Sequence, residues 1–530
     1  MTGRGTPPSE RTGDDPRPHF FSRTGLIAFL PSALLLAILY FPALKMGFVS
    51  DDHLFLSRKL GLATLLPASS AYIFSPLMEG TFLVLKKLFH ADPRLFHLFA
   101  ILLHALTCYG VVALVHGLKN SSIAAATAGL LFAGFAFAYE PVLWVTGAVA
   151  YLPMALAAVI AVWRVVRRNA ALEFVARPDL LGGALLLVSS LYHEIGLAIL
   201  PISVLLTRGL RPSIPWKDLV VIHIPHVLFA ALLLLTNVTL TGTLGPAPKF
   251  SWSEALLTFS RAHGYCYFPF ANLLQEPGMP LVVAAVLGAV SVGLSIFLWS
   301  STRWRLQGAL LSLFHCSVLV FAVSAQHVQS RYLYLPEVFA ASMLGLLAAD
   351  AFATLKRGFG PLGTRRVVHL TISCLILTAL SVSIAQGIRQ LRERVEEWGR
   401  ATEISRHVLE SAVLEFMRAE PALRKSMIVV DLPDGLQGSQ WPAFLFRNGF
   451  REAFAQEVRD HNSQGQEIEL PAIVECRTGP WTSAPGSRLG ALRTVSRHPR
   501  VGPEFLRGKA AQALVLRFDA EQHCLVRYVP

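Results

Sequence analysis

Long uninterrupted runs of apolar residues are the feature that most limits how this chain can fold. Several runs reach about 18 to 20 residues, the length that a helix needs to cross a hydrocarbon core of about 30 Å. Only 15% of the 530 residues are charged, against about 25% in ordinary soluble domains. We therefore expect an all-α polytopic membrane protein. The clear spans are 26–44, 95–117, 122–138, 147–166, 218–238, 280–300, 306–325, 332–350 and 367–386.

The apolar block 180–207 is too long for an ordinary span and contains His193 and Glu194 near its middle. As one helix it would be about 42 Å long and would place a carboxylate near the bilayer centre. As two halves, 180–191 and 195–207, it would place the pair at a turn that is buried in protein or faces a wet cavity. Two halves leave nine Lys and Arg residues in the downstream inner loops and three in the outer loops, whereas one span inverts these counts. The positive-inside rule thus favours two halves and about eleven transmembrane segments.

Charge and composition also predict the domain organisation. The net charge is +13, but the basic residues cluster in short segments between apolar runs, which indicates membrane topology rather than nucleic-acid binding. Residues 1–25 are predicted to be a disordered cytoplasmic N-terminus, and 26–387 a transmembrane domain with outer loops 45–94 and 239–279. Residues 388–530 are predicted to be a small extracytoplasmic α/β domain. Its predicted elements are a helix over 389–418 and strands within 426–433, 468–476, 513–518 and 524–530, the last two forming a hairpin through 519–523.

Two adjacent carboxylates, Asp51 and Asp52, follow the first span in "GFVSDDHLFL" (47–56). Carboxylates beside a membrane are costly to desolvate and are seldom placed there for packing. One can take a proton from a hydroxyl group while the other orients it or holds a cation. The alternative is a solvated helix cap, since Ser50 and both aspartates are of favoured N-cap types.

Two further groups of polar residues interrupt apolar segments of the sequence. His193 and Glu194, in "LYHEIG" (191–196), are a functional candidate because ionisable pairs at membrane depth are rare; the alternative is that they only fix the turn. In "QHVQSRYLYLP" (326–336), Arg331 has the planar guanidinium that suits phosphate. The alternative is a snorkelling arginine beside Tyr332 in an interfacial aromatic belt.

Together these segments resemble the GT-C superfamily of membrane glycosyltransferases, near the bacterial protein O-mannosyltransferases and the transmembrane-tetratricopeptide mannosyltransferases. The resemblance covers about residues 26–350. It rests on the acidic pair after the first span, "FHLFAILLHAL" (96–106), "HEIGLAILP" (193–201) and "RYLYLP" (331–336), in that order. Two positions differ, because Ser75 precedes Pro76 where relatives often have Arg, and His193 stands where they often have Lys. The C-terminal region also lacks tetratricopeptide repeats.

The resemblance implies an inverting glycosyltransferase of the outer membrane face, in the bacterial inner or plasma membrane. Its donor would be a polyprenyl-phosphate-linked sugar lying among membrane lipid, and its acceptor a protein, a lipid or a cell-envelope glycan. Asp51 would be the base, and Asp52 would orient it or help to bind a divalent cation, the one cofactor expected. Arg331 with His193 would bind the donor phosphate. The implied site residues are Asp51, Asp52, His193, Glu194, Arg331 and Tyr332.

Two other functions fit the apolar pattern. A transporter or flippase of lipid-linked glycans would need inverted repeats and binding residues near the bilayer midplane. The sequence has no evident internal repeat, and its polar residues gather towards one side of the predicted spans. A non-catalytic GT-C-like scaffold that presents the C-terminal domain is the third possibility.

Overall fold

A computed structural model shows how the chain is arranged. It describes residues 19–58, 75–170, 176–241, 251–266, 281–324, 328–357, 364–437, 443–446, 448–461, 468–478, 491–493 and 498–529. Most of the predicted N-terminal segment, the middle of loop 45–94 and most of loop 239–279 lie outside the described residues. The predictions for those segments therefore stay predictions.

The described chain is mainly helical up to residue 418. The helices are α1 (Arg23–Tyr40), α2 (Asp51–Ser57), α3 (Pro76–Phe89), α4 (Pro93–Lys119), α5 (Ser122–Ala133), α6 (Tyr139–Leu143), α7 (Val145–Asn169), α8 (Leu180–Tyr192), α9 (Ile199–Leu210), α10 (Trp216–Thr241), α11 (Trp252–Cys266), α12 (Leu281–Ser300), α13 (Arg305–Ser324), α14 (Tyr334–Lys356) and α15 (Thr364–Arg418). Short 3₁₀ helices cover Phe41–Lys45, Glu194–Ala198 and Ser330–Leu333.

Among the described residues, seven helices are long and apolar enough to cross a membrane. Shorter apolar helices cover Ser122–Ala133, Leu180–Tyr192 and Ala285–Ser300. The predicted polytopic membrane fold is confirmed. One predicted span differs, because the run 122–138 forms a helix only up to Ala133. Gly134 caps that helix, whose 12 residues extend about 18 Å, less than a full bilayer crossing.

The block 180–207 is broken, as the charge count predicts. Helix α8 ends at Tyr192, and His193 has extended backbone angles of φ −162° and ψ 140°. A 3₁₀ turn then leads into α9, which returns along α7. The break places His193 beside Tyr151 of α7, near the start of the helix whose Thr146 contacts Asp52.

Helix α15 joins two elements that the sequence separates. The predicted span 367–386 and the predicted helix 389–418 form one helix of 55 residues, about 80 Å long. At Gly387 the helix backbone lies so close to the carbonyl of Gly134 that any side chain would collide with it. The domain boundary predicted between residues 387 and 388 thus falls inside a continuous helix.

The segment after α15, here called the C-terminal unit (residues 419–529), is the predicted small α/β structure. Its main sheet has the order β4 (Ala472–Cys476), β1 (Ser426–Val430), β6 (Leu514–Asp519) and β7 (Cys524–Arg527), with β1 parallel to β4 and β6. A second sheet has the order β3 (Ala443–Phe444), β2 (Gly435–Gln437) and β5 (Ala491–Arg493). Strands β6 and β7 form the predicted hairpin. The unit also contains the helices α16 (Phe450–His461) and α17 (Pro503–Ala510).

Candidate active site

Asp52 lies in the first turn of α2 and is only 1% exposed. Its Oδ1 accepts hydrogen bonds from the backbone nitrogen of Thr146 at 2.8 Å and from the Thr146 hydroxyl at 2.7 Å. Its Oδ2 accepts from the backbone nitrogen of Val49 at 3.1 Å. These bonds fix the acidic turn (Val49, Ser50, Asp51 and Asp52) against the N-terminus of α7. The orienting role expected for Asp52 stays a prediction.

The Asp52 carboxyl group titrates near neutral pH. Burial raises its pKa to about 7, because desolvation penalises the charged form. The hydrogen bonds from Thr146 and Val49 oppose this rise, and the nearby carboxylate of Asp51 adds slightly to it. The charge on the acidic turn therefore changes around neutral pH.

Asp51 is half-buried and faces the C-terminal unit. Its Oδ1 accepts a hydrogen bond from Asn448 Nδ2 at 2.6 Å. Ser50 occupies the N-cap position of α2, but its side chain makes no capping bond. The helix-cap interpretation of this sequence is therefore not supported by Ser50, and Asp51 binds a residue distant in sequence.

Arg331 lies in the 3₁₀ helix that precedes α14. Its side chain is 12% exposed and forms an ion pair with Glu140, which is 3% exposed. The second oxygen of Glu140 accepts from the Ser330 hydroxyl and, at 3.4 Å, from the backbone nitrogen of Arg331. The two buried charges neutralise each other, as buried charges in proteins must. This burial does not fit a snorkelling arginine.

The ion pair continues into a chain of polar side chains. Arg331 Nε donates to the Tyr151 hydroxyl at 3.2 Å, and that hydroxyl lies 2.8 Å from His193 Nε2. His193 Nδ1 lies 2.9 Å from Glu194 Oε2. We call Glu140, Tyr151, His193, Glu194 and Arg331 the arginine network. The predicted donor-phosphate residues, Arg331 and His193, thus belong to one group.

The N-terminus of α7 joins the two groups. Trp144 occupies the N-cap position of this helix, and the Arg331 guanidinium carbon lies 5.1 Å from the centre of its ring. Two residues later, Thr146 holds Asp52. The acidic turn and the arginine network therefore contact neighbouring residues at the start of the same helix.

Tyr332 forms part of the wall beside this network. Its ring stacks on Phe321 with centroids 5.8 Å apart, and the Arg331 guanidinium carbon lies 5.2 Å from its centre. The side chain is 8% exposed. It contacts Arg331 in cation–π geometry, and its supporting role in the site stays a prediction.

The described residues do not form an evident cation site. No group of three His, Cys, Asp or Glu side chains in the described part of the chain could hold a metal ion. Both oxygens of Asp52 already accept hydrogen bonds from Thr146 and Val49. Asp52 is therefore a poor metal ligand in this arrangement.

Sequence reasoning missed four residues that the structure places in the site. They are Glu140, Thr146, Tyr151 and Asn448. Glu140 could have been identified from the sequence, because it is the only charged residue in the otherwise mainly apolar segment 121–162. The others are common uncharged residues with no local pattern.

Comparison with known proteins finds similarity only among solved structures. No protein-family profile matches the chain, and no curated protein sequence matches it. The chain is similar to ArnT from Cupriavidus metallidurans bound to undecaprenyl phosphate, at 12% identity and a TM-score of 0.42, over 94% of each chain. For ArnT in the apo state the identity is 14% and the TM-score 0.43, over 93% of this chain and 92% of that one.

A third similar structure is the archaeal oligosaccharyltransferase AglB from Archaeoglobus fulgidus, in complex with an inhibitory peptide and a dolichol-phosphate. The identity is 14% and the TM-score 0.41, over 77% of this chain. This chain spans 62% of the AglB chain. Because these identities and TM-scores are low, the activity is inferred from the site residues and not from these structures.

Proposed function

We propose that this chain is an inverting glycosyltransferase of the outer membrane face. It transfers a sugar from a polyprenyl-phosphate carrier to a hydroxyl group of a protein, lipid or envelope glycan. The main supporting observation is that a half-buried carboxylate, Asp51, and a buried guanidinium, Arg331, lie near the start of the same helix. The donor class follows from the motif resemblance.

Asp51 is the proposed base. Its Oδ1 accepts from Asn448, while Asp52 is buried and uses both oxygens. Asp51 takes the proton of the acceptor hydroxyl as the acceptor oxygen attacks the anomeric carbon. The bond from that carbon to the phosphate oxygen breaks, and the polyprenyl phosphate leaves with the bonding electrons.

Arg331 is the proposed phosphate ligand. Nη1 donates to Glu140 and Nε to Tyr151, which fixes the plane of the guanidinium. The Tyr332 side chain also contacts the guanidinium, which is therefore held by three side chains. A donor fixed before the reaction stabilises negative charge on the leaving phosphate without reorganising.

The outer location follows from the positive-inside rule applied to eleven segments. It is tested by reporter fusions. Fusions after Arg211 and Lys356 should report the cytoplasm, and fusions in the C-terminal unit should report the outside. A cytoplasmic signal from the C-terminal unit would place the site on the inner face.

The activity is tested with purified protein, a set of labelled polyprenyl-phosphate sugars and envelope fractions as acceptors. Asp51→Asn should lower transfer by about 10²- to 10⁴-fold, the usual contribution of a general base. Its thermal unfolding temperature should stay unchanged, because Asn keeps the size of Asp. The matched control is Asp460→Asn, an exposed carboxylate on α16.

Three outcomes would contradict the proposal. Full transfer by Asp51→Asn would remove the proposed base. Donor translocation without transfer in the parent protein would instead support the flippase interpretation, and neither transfer nor translocation would support the scaffold.

A further inference from the structure

A segment of the C-terminal unit lies directly against the acidic turn. The backbone nitrogen of Ser50 donates to the carbonyl oxygen of Leu445 at 2.8 Å. Three residues beyond Leu445, Asn448 reaches Asp51. We call residues 443–446 and 448–450 the covering segment. Nearly four hundred residues of sequence separate it from the acidic turn.

Packing holds the covering segment in place. The Phe444 ring contacts Trp144 edge-to-face at 5.4 Å and Trp398 at 5.7 Å, so it joins α7 to α15. Leu445 and Phe446 are completely buried. The contacts around Asn448 therefore come from a fixed backbone rather than from a loose surface loop.

Gly449 allows the close approach of this segment. Its φ is +86°, a conformation that side chains rarely adopt, and a Cβ there would lie 2.5 Å from the carbonyl oxygen of Ser50. Only glycine satisfies both conditions without strain. The backbone is thus shaped to bring Asn448 beside Asp51.

The Asn448 contact is the only side-chain hydrogen bond of Asp51 within the described residues. An amide N–H donor binds one carboxylate oxygen and leaves the other to accept a proton. It also carries no charge, so it does not neutralise the base as a lysine or arginine would. These are the properties of a group that orients a catalytic carboxylate.

We infer that Asn448 is a positioning residue: it holds Asp51 Oδ1 so that Oδ2 faces the acceptor hydroxyl, and the C-terminal unit thereby completes the catalytic site. The inference rests on the proposed function. Small errors in the placement of a catalytic group are costly, since a displacement of about 1 Å can lower a rate about 10²-fold. The site is incomplete when the covering segment is absent.

Asn448→Ala tests this role. It should lower kcat by about 10- to 100-fold and leave the KM for the donor unchanged, because the donor is held by the arginine network. The thermal unfolding temperature should not change, since the Asn448 side chain is exposed. Asn448→Gln, which keeps an amide donor on a longer side chain, should recover part of the lost kcat. Gln512→Ala, an exposed amide elsewhere in the C-terminal unit, is the matched control.

The outcomes separate this inference from the proposed function. An active parent with full kcat in Asn448→Ala would overturn the inference and leave the function standing. A higher kcat would also overturn it, because the amide would then obstruct Asp51 rather than orient it. A lower unfolding temperature with no recovery in Asn448→Gln would reduce Asn448 to a structural residue. A parent with no transfer activity would overturn the proposed function and this inference together.

Discussion

The acidic turn and the arginine network differ in whether their charged groups have an oppositely charged partner. In the acidic turn, Asp52 is buried and fully hydrogen-bonded, while Asp51 is half-buried and has no cationic partner within the described residues. In the arginine network, Arg331 is buried together with the carboxylate of Glu140 that neutralises it. One region thus leaves a carboxylate ready to accept a proton, and the other holds a cation in place by compensating its charge.

This difference predicts whether a substitution in each region lowers activity or stability. Asp51→Asn removes the basic carboxylate but keeps a side-chain oxygen that can accept the hydrogen bond from Asn448. Removing one charge of the Arg331–Glu140 pair leaves the other buried and uncompensated, and therefore affects folding first. Measuring stability and activity together distinguishes the two kinds of residue.

The largest effect on stability is expected from Glu140→Gln. It leaves the Arg331 guanidinium buried without its anion, and removing one partner of a buried pair costs about 3–5 kcal/mol. Expression and the unfolding temperature in detergent should both fall, and adding Arg331→Gln should recover part of the loss. The control is Asp350→Asn, whose pair with Lys119 is about one-third exposed and should contribute little. Unchanged stability in Glu140→Gln would break the contrast between the two regions.

Arg331→Lys should affect activity more than stability. The positive charge beside Glu140 remains, but an ammonium group cannot also keep the geometry of the bonds to Glu140 and Tyr151. We expect kcat/KM for the donor to fall about 10²-fold, the cost of losing one preorganised donor. Arg389→Lys, at a largely exposed position, is the control. Normal donor kinetics in Arg331→Lys would mean that the arginine network has only a structural role.

The smallest effect is expected from Asp52→Asn. An amide group there must turn its NH₂ towards one of the donors from Thr146 or Val49, which leaves that donor unpaired at a cost of about 1–3 kcal/mol. The pH dependence sharpens the test. Folding raises the pKa of Asp52 from 3.8 to about 7, so the folded protein binds this proton more tightly than the unfolded chain. The contribution of Asp52 to stability should therefore fall as pH rises from about 4 to about 7 and be level above that.

Asp52→Asn should lack this decline, which is measured as the difference in unfolding temperature between parent and variant across the pH range. The comparison variant is Asp51→Asn, which should keep the decline because Asp52 is still present. Identical pH dependence in the parent and in Asp52→Asn would show that Asp52 does not titrate as described.

The helices and strands could be predicted because their signals are local. Apolar run length indicated the spans, and the basic residues of distant loops correctly predicted the break at His193. The adjacency of Asp51 and Asp52 made them visible as a pair. The continuity of α15 was missed because the composition turns from apolar to charged after Gln386, while that change of environment does not interrupt the helical backbone.

The partners of the site residues could not be predicted in the same way. Glu140 pairs with Arg331 across 191 positions, and Asn448 binds Asp51 across 397. Such pairs leave no periodic trace, and only the folded packing of α6, α7 and the covering segment creates them. The roles of Asp51 and Arg331 as base and phosphate ligand stay predictions.

Because α15 is continuous, it fixes the rotation of the C-terminal unit about the helix axis relative to the preceding helices. Each residue of an α-helix turns the chain by about 100° and advances it about 1.5 Å. Adding or removing one residue between Gly387 and Trp398 would rotate the β-sheets about the helix axis by about 100°. Asn448 would then no longer face Asp51. The number of residues in this stretch, as much as their identity, determines which side of the C-terminal unit meets Asp51.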